Sequence, residues 1–374
     1  METKSIYITG RQALQLQRMA RTRETIVAFP APTHKPEPLD KAIRTIEDLH
    51  AEPMLEALGI TPEHPLHLLV PNSSSRRTIG SIKMKVLSSE LPSGGFLQLA
   101  SAQSSDDYAL MFAGLHVFVE SPPLVVIDAA QKLEKLVRHG RLPKYEAIIK
   151  LASLASELCG SYARNPFDPQ QGDLHYDEPN ECGRFADPPK LASFLAQTSG
   201  MDGVRLARQS AQYVIDESGS PMETYINYGL TLPPRYAGLA FPPPLANKQL
   251  KVRGSVRTRL NHLSLRPDLQ WPDFNTLLEY LGEKDHSSKS ARLEDTNRMV
   301  DYAQTDYSAF PLMFDNVRNA TEFNKTAQIL ARSLMNAGWK SGLYHVRSKL
   351  RDSEFLARQR KLVGLLLPPV SQRY

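Results

Sequence analysis

Cysteine is scarce in this chain: two in 374 residues, Cys159 and Cys182. Two cysteines build no disulfide framework, and no zinc site without help from histidines. A reducing compartment is the natural setting. Cys159 lies in an apolar helical context and reads as a small buried hydrophobe. No stretch approaches the run of about 18 apolar residues that spans a membrane. Residues 1–23 carry no apolar signal-peptide core; instead Arg11, Arg18, Arg21 and Arg23 fall on or near a short helical pattern with Leu14 and Leu16. A cytoplasmic protein is expected. Charge of one sign is in small excess, 45 basic against 40 acidic residues, for a net +5 and a pI near 9.0. That balance is compatible with a nucleic-acid partner without requiring one. There is no glycine-rich phosphate loop, no nucleophile elbow, no helix-turn-helix, zinc-finger or RNA-recognition motif, and no internal repeat.

The remainder is ordinary globular composition, 41% hydrophobic and 23% charged, which excludes wholesale disorder. The length suggests two or three domains. Prolines, 28 against 20 glycines, predict stiff, extended connections. Helices are expected over about 10–22 and 38–58, around the break Phe29 to Pro36. Short strands follow at His67–Val70, Ile82–Val86, Phe96–Leu99 and Leu115–Val119. Ser121-Pro122-Pro123 opens a helix, and residues 144–159 continue in helix. Residues 164–189, rich in proline, Asp, Glu, Asn and Gly, read as a loop and domain boundary. The expected organisation is therefore a mixed α/β module over 1–165, a linker over 166–189 and a second domain over 190–374. The class is α+β or α/β, with a small sheet in the first module.

The chemistry-bearing residues lie in the second half. After helices at 189–197 and 203–216, Ser220-Pro221-Met222-Glu223 starts another, with Ser220 as N-cap. A strand is expected from Lys248 to Val256. Arg266-Pro267-Asp268-Leu269-Gln270-Trp271 and Asn275 to Gly282 read as a hairpin across Pro272-Asp273, with helix at 289–303, strand at Phe310–Phe314 and helix at Glu322–Leu334. Glu279 stands in an otherwise apolar strand, where a carboxylate costs free energy unless it is paired or binds a metal.

This order, with Pro267-Asp268, Glu279, Gly282 and His286 in series after Glu223, resembles the PD-(D/E)XK nucleases, most closely the branch related to very-short-patch repair endonucleases. The resemblance implies a restriction-endonuclease-like αβββαβ core and an endonuclease-like, Mg²⁺-dependent phosphodiesterase, with Mn²⁺ as a substitute. Asp268 and Glu279 would hold the metal, Glu223 would be a third acid, and His286 or Lys284 would assist the water or leaving group. Such chemistry needs converging carboxylates because a cation must both activate water and clamp the phosphate. The sequence departs from the family at Leu281, which stands where a lysine or aspartate is usual and shares a strand face with Glu279.

Each residue also has an ordinary reading. Glu223 completes a capping box, Asp268 is a turn acceptor after proline, and His286 is a solvated loop residue. The rival function is therefore a nucleic-acid-binding regulator or antitoxin-like protein that keeps the fold without the chemistry; a third is a structural interaction module. In the first half, His67–Val70, Arg76-Arg77, Gly114–Val117 and Ser121-Pro122-Pro123-Leu124, with Asp128 following, are similar to AbiEi-type antitoxins. Actinobacterial chains of this kind join such a segment to the nuclease-like domain. That similarity implies a toxin–antitoxin, phage-defence or repair setting, with DNA and a cognate toxin or antitoxin as partners and no membrane. Arg76, Arg77, Lys83 and Lys85 are expected on a basic hairpin able to touch phosphates, or else on a solvated edge. Arg205, Arg208 and Arg266 complete the expected nucleic-acid-binding set.

Overall fold

A computed structural model describes residues 4–22, 26–101, 112, 114–165, 173–175, 184–262, 264–282 and 289–367. It is a mixed α+β protein of two compact units, 1–214 and 215–374. The division falls after Val214 and not within the expected linker at 166–189.

The first unit runs β1 (Ser5–Ile8), α1 (Arg11–Thr22), β2 (Ile26–Pro30), α2 (Glu52–Ala57), β3 (Leu66–Val70), β4 (Ile82–Val86), β5 (Phe96–Ser101), β6 (His116–Glu120), α3 (Pro122–Arg138), α4 (Lys144–Cys159), β7 (Tyr162–Arg164), β8 (Asp173–His175), α5 (Pro188–Gln197) and α6 (Val204–Ala211). Its main sheet has six strands in the order β2-β5-β6-β1-β3-β4, larger than the small sheet expected. The two strands missed in the sequence, β1 and β2, are short and flank α1. Ile6, Tyr7, Ile8, Val117 and Val119 are buried where β1 and β6 run parallel. The Tyr7 ring stacks on Phe118 at 4.7 Å and meets Phe96 edge-on at 5.2 Å.

Three expectations are corrected here. Residues 38–58 hold only a short 3₁₀ turn and α2 rather than one long helix; Pro38 and Pro53 stand within that span, and proline interrupts a helix interior. The β3–β4 pair is parallel, with Leu66 opposite Ile82 and Val70 opposite Val86, so Arg76, Arg77, Lys83 and Lys85 are not on a hairpin. The connection is instead a short crossover opened by Asn72, whose side chain accepts the Ser75 amide at 2.9 Å. Part of the expected linker pairs as a hairpin, β7 against β8, and α5 and α6 pack on α3 and α4 through buried Leu191, Phe194, Leu195, Leu206 and Ala207. That packing is why the first unit extends to Val214.

An ion pair ties α1 to α4. The Arg18 guanidinium donates to both Glu157 oxygens at 2.7 and 2.9 Å, while Arg21 donates to the carbonyls of Glu157 and Gly160 at 2.7 and 2.6 Å. Burial raises the Glu157 carboxyl, but Arg18 outweighs it and holds the group below its usual range. Breaking one side of a buried pair leaves the other charge unmatched. Glu157→Ala is expected to destabilise the first unit by about 3–5 kcal/mol in urea unfolding followed by circular dichroism. A loss below about 1 kcal/mol, the scale of an exposed pair, would contradict this account of the α1–α4 tie.

The second unit runs α7 (Pro221–Thr231), β9 (Leu245–Ala246), α8 (Gly254–Arg257), β10 (Leu269–Trp271), β11 (Thr276–Leu281), α9 (Lys289–Ala303), β12 (Ser308–Met313), α10 (Phe314–Arg318), α11 (Ala320–Asn336), α12 (Gly342–Lys349) and α13 (Ser353–Leu366). Its sheet order is β12-β11-β10-β9. β9, β10 and β11 pair antiparallel, and β12 joins β11 in parallel after the α9 crossover. The expected strand from Lys248 to Val256 is absent. β9 ends after two residues because Asn247 takes a left-handed conformation, φ 50°, and the segment beyond is an extended loop leading into α8. Among the described residues of the chain, no helix is long and apolar enough to cross a membrane.

Candidate functional site: a buried carboxylate cluster in the second unit

The β10–β11 hairpin sets the site. Pro272–Phe274 makes a 3₁₀ turn that closes on Asn275 at φ 43°, bringing Leu269 opposite Leu278. Asp268 immediately precedes β10 and accepts the Tyr280 amide. Glu279 lies in β11 with Pro311 of β12 as its parallel neighbour. Because side chains alternate along a strand, Glu279 shares a face with Leu277 and Leu281. On that face Leu277 packs with Tyr302 of α9. On the opposite face the Thr276 hydroxyl lies 3.4 Å from that of Ser333 on α11.

Glu279 is 1% exposed. One of its oxygens accepts from the Arg298 guanidinium at 2.8 Å and the other from the Tyr302 hydroxyl at 3.0 Å. Glu223 lies on the first turn of α7, behind the Ser220 N-cap. Its amide donates to the Ser220 hydroxyl at 3.1 Å, the first half of the expected capping box, but its carboxylate accepts the amide of Gly219 at 2.7 Å, one residue before the cap, rather than that of Ser220. The same carboxylate accepts from the Asn247 side chain at 2.6 Å. Asn247 also donates to the Glu217 carbonyl at 2.9 Å.

Electrostatics join the three acids. Burial raises the Asp268 carboxyl well above the usual carboxylate range, and Glu279 and then Glu223 push it the same way. Burial also raises Glu279, against the hydrogen bond and charge of Arg298. Arg298 is held more firmly protonated by Glu279, despite its own burial. Glu279 and Asp268 thus share one guanidinium, that of Arg298. Asp268 feels the charge of both Glu279 and Glu223, while Lys284 and His286 lie outside the described residues. Arg298 and Tyr302 escaped the sequence reading. Their signal was weak: an arginine and a tyrosine one helical turn apart, on one face of a helix that follows a strand glutamate.

Among the described residues no three His, Cys, Asp or Glu side chains are gathered as a ready-made metal cage. A cleft of about 620 Å³ in this unit is lined by Phe314, Asp315, Arg318 and Arg360, and not by Glu223, Asp268 or Glu279.

The other expected contacts resolve one by one. Arg76, Lys83, Arg205 and Arg266 are exposed. Arg77 is spent on the carbonyls of Leu39, Asp40 and Lys41. Arg208 closes the C-terminus of α5 by donating to Leu195, Ala196 and Thr198. Lys85 pairs with Asp128 at 2.7 Å, as does Lys132. Asp128 adjoins a second polar group in the first unit, where the buried Glu120 accepts from the Thr9 hydroxyl and from the Gly10 amide at 2.8 Å. Burial, with Asp128 adding to it, pushes Glu120 up to about 7.

Comparison with known proteins returns no match to a protein-family model, to a curated protein or to a solved structure.

A raised carboxyl pKa means the fold prefers Asp268 protonated. Its stabilising effect is fully present below the unfolded value, about 3.9, and is lost as pH rises through the folded value. Asp268→Asn keeps an acceptor for the Tyr280 amide and removes the titration. It is expected to raise the melting temperature of the second unit, by a margin that grows from pH 5 to pH 8 in calorimetry. An equal or shrinking margin over that range would contradict the assigned cluster.

Proposed function

We propose that the second unit is a nuclease-like domain of the restriction-endonuclease kind, acting on nucleic-acid phosphodiesters with a divalent cation. The observation that carries this reading is that Asp268 and Glu279, at the open end of the β10–β11 hairpin, lie within electrostatic reach of Glu223 on α7, within the order α7, β9, α8, β10, β11, α9, β12. The donor chemistry fits Mg²⁺. That ion takes oxygen ligands and is commonly held by only one or two protein carboxylates, with substrate phosphate and water supplying the rest. Burial first, and then the charges of Glu279 and Glu223, raise Asp268, a cost that a bound cation would relieve.

Asp268 and Glu279 would hold the cation, with Glu223 as a third acid, directly or through water. When bound, the cation supplies a nucleophilic water and charge stabilisation at the phosphate. Tyr302 and Arg298 orient Glu279 through its two oxygens. Arg298 also puts a positive charge beside the acids, on a face where Leu281 supplies none; a guanidinium can donate to phosphate oxygens in bidentate fashion. Lys284 or His286 would assist the water or the leaving group. The first module, in this reading, is an antitoxin-like segment that places the chain in a defence, toxin–antitoxin or repair setting.

A second reading has its own support. Leu281 is apolar, and both Glu279 oxygens are already satisfied, which suits a protein that keeps the fold and binds nucleic acid without cutting it. The two are separated by incubating the chain with duplex DNA, single-stranded DNA and RNA in Mg²⁺ or Mn²⁺. Cleavage by the wild type, falling at least about 100-fold in Asp268→Ala, as expected where a metal ligand is removed, is the predicted result. Equal rates in the two proteins would overturn the assignment, and binding without cleavage would establish the second reading.

A further inference from the structure

The loop between β9 and β10 leaves the carboxylate cluster and returns to it. It starts at Asn247, bonded to Glu223 at 2.6 Å, and ends at Asp268. Between them, residues 248–267 contain Lys248, Lys251, Arg253, Arg257, Arg259 and Arg266 and no acid. Elsewhere basic and acidic residues are nearly balanced, so this is a local concentration of charge of one sign.

The loop is built, not loose. Its neck is closed by the Leu250 amide donating to the Leu265 carbonyl at 2.7 Å. Leu250 and Leu265 are buried with Leu277 and Tyr302, and Val252 and Leu260 pack against them. Its far end is clasped to α9. Both oxygens of Asp301, which is fully buried, accept from Asn261 and His262: two bonds from Asn261 at 2.9 Å, and the His262 amide and ring nitrogen at 2.9 and 2.6 Å. The other His262 nitrogen meets Glu294 at 2.8 Å.

Alternation then separates chemistry by face. Leu250 and Val252 turn inward while Lys251 and Arg253 are exposed, as are Arg257 and Arg259. Lys248 is taken by Glu217 at 2.6 Å. Arg253 has only an exposed partner, Asp306, at 3.6 Å, a pair that solvent screens. Lys251 and Arg257 have no ion-pair partner among the described residues.

We propose that this loop is the backbone-binding element of the second unit: Lys251, Arg253, Arg257 and Arg259 grip the phosphates of a nucleic-acid strand and hold it beside the carboxylate cluster. The inference rests on the nuclease-like reading for the neighbouring chemistry, but it concerns binding alone. A polyanion is the partner that four outward cations on a clamped loop fit, because phosphate contacts fix position without reading sequence. Nucleic acid is favoured over an anionic membrane because Leu250, Val252, Leu260 and Leu265 are committed to the core, leaving the cationic face without the apolar edge that inserts among lipids.

The test is fluorescence anisotropy of labelled single-stranded and duplex DNA with the full chain at 50–200 mM salt. The comparison sets wild type beside Lys251→Ser/Arg253→Ser/Arg257→Ser/Arg259→Ser, with circular dichroism to verify folding. Each duplex phosphate contact adds about 0.9 to the slope of log K against log salt. The loop variant is expected to lose about 3–4 from that slope and to bind at least about 100-fold more weakly at low salt. Should the folded loop variant bind like wild type, the loop assignment falls and the nuclease-like reading stands. Should the wild type bind no nucleic acid at 50 mM salt, both fall. Loop-dependent capture of phosphatidylserine vesicles without nucleic-acid binding would overturn the proposal in favour of a membrane surface.

Discussion

Glu279 is the constraint around which the second unit is arranged. A carboxylate in a strand flanked by Leu277, Leu278 and Leu281 cannot be left without partners inside the fold. Arg298 and Tyr302 satisfy its two oxygens, and both come from α9. The glutamate therefore ties the hairpin to the crossover helix that follows it, and with that the face on which β12 must return beside β11. Asp268 adds a second acid at the same end, so the cluster carries more negative charge than one guanidinium balances. Structures tolerate such an imbalance where a cation or a proton completes it.

The loop that frames the cluster obeys the same logic. Asp301 lies one turn beyond Arg298 on α9 and is as buried as Glu279. Burial raises its carboxyl, yet the Asn261 and His262 hydrogen bonds outweigh this and hold it below its usual range. The Asp301 bonds in turn raise His262. One helix thus gathers two buried carboxylates, Glu279 from the sheet and its own Asp301, and uses each to fix a different piece of chain. The apolar residues of the loop are buried against the same helix and β11, which leaves its cations facing solvent.

Much of this was legible in the sequence. The hairpin followed from turn residues at 272–275 between two apolar runs, and the spacing of Asp268 and Glu279 followed from it. The S-x-x-E cap at Ser220 and Glu223 was legible because capping is local. What stayed hidden depended on distant partners. Arg298 sits in a charged helix, where an arginine ordinarily reads as solvated. Lys248–Val256 alternates like a strand, and its faces do separate, but no neighbouring strand pairs with it. The parallel β3–β4 pair was read as a hairpin because eleven residues suit a long loop as well as a short crossover, and only the sheet order chooses between them. In the first unit, Glu120 was invisible because its partners, Thr9 and Gly10, lie more than a hundred residues away.

The claim on which the account turns is that the converging acids bind a divalent cation. Isothermal titration of Mn²⁺ and Mg²⁺ into the wild-type chain and into Glu279→Ala tests it most directly. The account predicts saturable binding by the wild type at one site, lost or weakened about 10–100-fold in the variant, the scale expected when a metal site loses part of its shell. Binding by neither protein, or equal binding by both, would contradict it.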